Sequence, residues 1–224
     1  MRSLITALAL GSMPAAAATL EVPSQYSTIE AALAAASNND RIQLASGTYD
    51  IPSLVMTANV RIQAATDADV TITSSTGVGS VFTVASPATS LDLRDITFDG
   101  AGNPDLRLIQ ATDIQVIQIW DSVVQNFTTS GNGAFLDGTN VLAVTVDNTR
   151  FENNSAVNGG VVSLVDTDVT NPTGTTINVR SLSEFIDNTA SGNGGSIYAS
   201  GATVTLADTL FSGSQAVNGG AIYA

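Results

Sequence analysis

An interval of about 26 residues recurs along this chain and limits its fold more than any single motif does. Three registers repeat together. The first is a glycine-led apolar strand: Gly79-Ser80-Val81-Phe82, Gly133-Ala134-Phe135, Gly159-Gly160-Val161-Val162, Gly194-Gly195-Ser196-Ile197 and Gly219-Gly220-Ala221-Ile222, with a degenerate copy at Leu108. The second alternates apolar and polar residues, at Leu91/Leu93, Ile117/Ile119, Val144/Val146, Ile177/Val179 and Val204/Leu206. Period two marks a strand with one buried face. The third is a bulky apolar residue at Phe98, Val124, Phe151, Phe185 and Phe211, with successive spacings of 26, 27, 34 and 26. Turn-forming residues follow it, as in Asn153-Asn154, Asp187-Asn188 and Ser212-Gly213-Ser214.

A unit this short cannot bury its apolar side alone, so copies must stack, each strand pairing in parallel with its equivalent one coil away. The repeat therefore predicts an all-β parallel β-helix, a β-solenoid. Inward residues should form columns: Phe82, Leu108, Phe135, Val162, Ile197 and Ile222 in one, and the third-register residues in another. On the outside of the second strand, Arg94, Trp120, Asp147 and Arg180 should be neighbours.

Arg2, the apolar run Leu4 to Leu10 and the small residues Ala16-Ala17-Ala18 read as a signal peptide over residues 1–18, with a mature chain from Thr19. That run is shorter than the roughly 20 apolar residues a bilayer span needs, and no later stretch exceeds it. The stretch from Val22-Pro23-Ser24-Gln25-Tyr26-Ser27-Thr28-Ile29-Glu30 through Ala36, with Asp40-Arg41-Ile42-Gln43-Leu44 and Gly47-Thr48-Tyr49, resembles the opening of right-handed parallel β-helices of the pectin-lyase-like superfamily, which implies that handedness here. The resemblance implies a short helix capping the first coil. Ser27 and Glu30 form a capping box for it, and Ile29, Leu33 and Ala36 lie on one helical face.

Phe151-Glu152-Asn153-Asn154 leading to Gly159-Gly160, and Phe185-Ile186-Asp187-Asn188 leading to Gly194-Gly195, resemble the repeats of polymorphic outer membrane proteins. In the third copy Ser214 replaces the asparagine. This resemblance covers about the last third of the chain and implies surface passenger domains and adhesins. Because the chain stops at Tyr223-Ala224, inside a strand, residues 19–224 read as a β-helix domain truncated at its C-terminus.

The acidic balance, 20 carboxylates against seven arginines with no lysine or histidine, gives a net charge of −13 and disfavours a nucleic-acid partner. Without cysteine there is no disulfide or thiolate site. The absence of histidine removes the commonest general base and the commonest zinc ligand. Asp67, Asp69, Asp92 and Asp95 beside Arg94, and Asp99 are the carboxylates available for lyase or glycosidase chemistry. None sits in a catalytic motif, so no catalytic, cofactor or metal residue is assigned. Two glycosylation sequons, Asn126-Phe127-Thr128 and Asn153-Asn154-Ser155, fall at repeat turns and read as turn formers.

One irregularity marks a candidate site. Val162 to Val179 spans 17 residues where other copies use nine to eleven, the excess lying in Asp166 to Gly174. Inserted loops in repeat proteins gather on one face and often bind. Asp166, Asp168 and Asn171 are the binding-loop candidates; a calcium ion would use the oxygens of Asp166 and Asp168, although no loop has the spacing of a known calcium motif. The expectation is a secreted or cell-surface β-helix with an adhesin-like binding or structural role toward a polysaccharide or cell-surface ligand. The alternative is a carbohydrate-active enzyme, a polysaccharide lyase or glycoside hydrolase.

Overall fold

The computed structural model describes residues 16–168 and 174–224. Most of the signal segment and Asn171 lie outside these described residues. What is described is a parallel β-solenoid of about six turns. Its strands fall into a 13-stranded, a seven-stranded and a two-stranded sheet, with coil-to-coil parallel pairing.

The second register pairs as its alternation predicts. Leu91, Ile117, Val144, Ile177 and Val204 are successive partners, and the ladder runs back through Val60. The third register also forms one column: Ile72 pairs with Phe98, then Val124, Phe151, Phe185 and Phe211 follow. The first four of these expected residues are fully buried, and Phe211, in the last coil, is partly buried. Phe151 and Phe185 stack with centroids 4.8 Å apart, Phe185 and Phe211 with centroids 4.7 Å apart.

The first column differs from expectation by one residue in two coils. Phe82 pairs with Ile109, not Leu108, and Ile109 with Leu136, not Phe135; Val162, Ile197 and Ile222 then follow as expected. At this corner both members of each apolar pair, Leu108/Ile109 and Phe135/Leu136, are buried. The apolar pattern therefore carries no phase there, and backbone pairing sets it.

The glycine pair has two separate causes. Gly159, Gly194 and Gly219 adopt φ of +59°, +62° and +76°, which side chains with a β-carbon disfavour. The second glycine is needed for contact between coils, as at Gly160, where a β-carbon would lie 2.5 Å from the Thr189 carbonyl oxygen.

A helix, Ile29–Ala35, follows the first strand, and its N-cap is one residue later than the expected capping box. The Thr28 hydroxyl, not Ser27, accepts from the Ala31 amide at 3.2 Å. Ile29 and Ala32 are buried, with Leu33 and Ala36 packed against the same core. Beside the helix, Asp40 accepts from the amides of Ala18 and Ser37, at 2.7 and 2.8 Å, which fixes the chain entering the first coil.

Asparagine at the repeat turn is structural. Asn154 is fully buried, accepts from the Phe127 amide at 3.0 Å and donates to the Val124 carbonyl at 2.9 Å. Asn188 repeats the arrangement one coil on, donating to the Phe151 carbonyl at 3.0 Å. The sequon asparagines Asn126 and Asn153 hold φ of +61° and +56°, as expected of turn formers.

Candidate functional site

The insertion lies where expected. Its neighbouring coils cross the same corner almost without a break: Thr139 is followed by Asn140-Val141, and Ser200 by Gly201, whereas Val165 is followed by Asp166 to Gly174. Asp166 closes this loop. Its carboxylate accepts from the Asp168 amide at 2.9 Å and from the Thr175 amide at 2.8 Å, one on each side of the excursion. Both oxygens therefore already serve the loop's own backbone.

Asp168 shares a groove of about 360 Å³ with Asp113, Gln115, Asn140, Leu142 and Asp166. Asn140 donates to Asp113 at 2.9 Å and accepts from the Thr167 amide and hydroxyl at 2.9 and 3.0 Å. Among the described residues, no group of three or more acidic side chains is arranged to hold a metal ion.

The carboxylates available for catalysis are dispersed. Asp92 accepts from Arg61 Nε at 2.8 Å and Arg94 Nε at 2.9 Å, so both of its partners are guanidiniums of the same sheet face. Asp95 sits in a turn with its carboxyl raised above the ordinary range, by burial first and by the nearby Asp121 charge second. Burial pulls Asp99 upward, but hydrogen bonds from Asn126, the Ala101 amide and Gln125 outweigh it and hold the carboxyl below its ordinary value. Asp69 lines a shallow groove with Asp95 and Asp121, and Asp67 a neighbouring one with Asp95.

The outer face of the second register carries the most organised polar surface. One ladder runs Arg41, Arg61, Asp92, Gln118, Thr145 and Asn178. The adjacent ladder runs Gln43, Gln63, Arg94, Trp120, Asp147 and Arg180. Arg180 Nε donates to Asp147 at 2.6 Å. The guanidiniums of Arg94 and Arg180 lie 4.8 and 5.2 Å from the Trp120 ring centroid, within cation–π range. The expected Arg94/Trp120 and Asp147/Arg180 neighbours are thus both present, and Arg180 reaches across Asp147 to the indole as well.

Arg41 and Arg61 belong to this face but escaped the sequence reading. Arg41, Arg61 and Asp92 are separated by 20 and 31 residues, so no constant spacing links them. Their alignment exists only through strand pairing.

Fold and surface together define a parallel β-solenoid with one built polar face. Within it, a family model described as the Chlamydia polymorphic membrane protein repeat matches residues 183–200. That segment contains Phe185 of the aromatic column, the buried Asn188 and the Gly194-Gly195 pair. No curated protein and no solved structure matches the chain.

Proposed function

We propose that this chain is an exported, right-handed β-solenoid displayed at a cell surface, where it binds a polysaccharide or another cell-surface ligand in the manner of an adhesin. The repeat match at residues 183–200 carries this reading, because the matched family is described as a membrane protein repeat. Residues 1–18 direct export, and the helix Ile29–Ala35 covers the N-terminal coil, where an uncovered strand edge would recruit other chains. Asp166 and Asp168, at the start of the insertion, form a second contact region with Asp113 and Asn140.

The test has two parts. Antibody labelling and protease shaving of intact producing cells should detect the chain outside. The purified chain should bind host or neighbouring cells saturably. A chain retained in the cytoplasm, or one without saturable binding, would overturn the reading. Incubation with polygalacturonate and calcium should leave the polymer intact. An unsaturated uronate product that disappears in Arg94→Gln would replace the binding role with lyase chemistry.

A further inference from the structure

Four of the seven arginines, Arg41, Arg61, Arg94 and Arg180, project from one sheet face of a chain whose net charge is −13. Three of these guanidiniums are held against carboxylates. Arg61, Arg94 and Arg180 each direct Nε to Asp92 or Asp147, and Arg94 also donates from NH2 to Asp92 at 3.0 Å. This leaves NH1 of each without a partner among the described residues, and those of Arg61 and Arg180 remain 35% and 48% exposed as side chains. Arg41 is exposed and its side chain has no partner among the described residues. It lines, with Arg61, Asp92 and Gln118, a groove of about 360 Å³.

We infer that this face is a binding track for an acidic polysaccharide, with the free guanidinium edges engaging its carboxylate or sulfate groups. The inference deepens the adhesin reading and rests on it. Arginine held at Nε alone, as at Arg61 and Arg180, presents its terminal N–H groups as a preset donor pair, which suits oxyanions and reduces the ordering cost on binding, while Arg94 offers NH1. Trp120 lies against two of these cations, so Arg94 and Arg180 are each fixed between a carboxylate and the indole.

Three features select an extended sugar polymer. Coils are spaced about 4.8 Å apart, so Arg41 to Arg180 spans five intervals, or roughly 24 Å parallel to the solenoid axis. A single small anion would use only part of that length. Between the arginines lie Gln43, Gln63, Gln118, Thr145 and Asn178, whose amides and hydroxyl match sugar hydroxyls. The two ladders between Arg41 and Arg180 contain no aliphatic outward residue, so a peptide would find no pocket for an apolar anchor. The acidic remainder of the surface repels a polyanion and confines it to this face.

The experiment measures binding of the full chain to immobilised heparin, polygalacturonate, duplex DNA and neutral dextran, at low and raised salt. Arg41→Gln/Arg61→Gln, Arg94→Gln/Arg180→Gln and a control Arg150→Gln are compared, each checked by circular dichroism and melting. Arg150 lies on the other sheet, paired with Glu152 and Glu184. Binding is expected on at least one acidic polymer and not on dextran, weakening with salt. Each double substitution should reduce affinity about tenfold or more, the equivalent of one or two lost charge-assisted hydrogen bonds, with Arg150→Gln unchanged. The polymer preferred distinguishes sulfate from carboxylate. No binding to either acidic polymer, equal binding to duplex DNA, or insensitivity to both double substitutions would overturn the inference. If cell binding persists in any of those cases, the adhesin reading stands and only the acidic track falls.

Discussion

Gly160 and Gly195 stack backbone against backbone, so that a β-carbon on Gly160 would enter the contact distance of the Gly195 carbonyl oxygen. The glycine pair is therefore a packing requirement between coils as much as a turn requirement. Gly160→Ala should destabilise the solenoid by about 1–3 kcal/mol or more, since only backbone movement can relieve the clash. Denaturant unfolding of Gly160→Ala beside wild type measures this, and an unchanged midpoint would mean the coils are spaced more loosely than described.

Phe151 touches Phe135 and Phe185, with ring centroids 5.1 and 4.8 Å away, and is fully buried. Truncation to alanine should cost about 3–5 kcal/mol, through lost burial and the cavity left behind. Phe211→Ala, in the partly buried last position, should cost clearly less. Equal losses at both positions would contradict the column as a graded core.

Asn154 supplies hydrogen bonds to the Phe127 amide and the Val124 carbonyl, both within the core. Asn154→Ala leaves each unpaired, at about 1–3 kcal/mol apiece. Because Asn154 and Asn188 also share a bond of 3.1 Å, the double alanine variant should lose less than the sum of the singles. A thermodynamic cycle on the two positions tests that coupling.

Arg107 pairs with Asp137, and their side chains are 12% and 23% exposed. Burial raises the Asp137 carboxyl above its ordinary value of 3.8, an effect Arg107 partly offsets. Arg107→Met should cost about 2–4 kcal/mol at neutral pH, below the fully buried limit because some solvent reaches the pair. A raised carboxyl favours the folded state when protonated. The variant's deficit should therefore be smallest below pH 3.8 and grow as pH rises through the higher folded value. Melting curves across that interval should show the trend, and Asp137→Asn in the same chain should flatten it.

The repeat itself determined the solenoid, its three registers and the burial of Phe98, Val124, Phe151 and Phe185, since each coil must hide the same apolar positions whatever its neighbours are. The sequence also placed Trp120 between Arg94 and Asp147, because all three follow inward residues of one continuous register. It could not set the phase at Leu108 and Phe135, where adjacent apolar residues are both buried and either could face the column. The N-cap moved from Ser27 to Thr28 for a similar reason: two neighbouring hydroxyls are chemically alike, and only backbone geometry decides which lies over the first turn's amides. Asp166 reads as an exposed acid in the sequence, yet the closed loop turns its carboxylate onto Thr175 and Asp168. The alignment of Arg41 and Arg61 with Asp92 was decided by tertiary structure alone, because unequal loop lengths between coils erase any spacing signal, and parallel strand pairing restores the register in space.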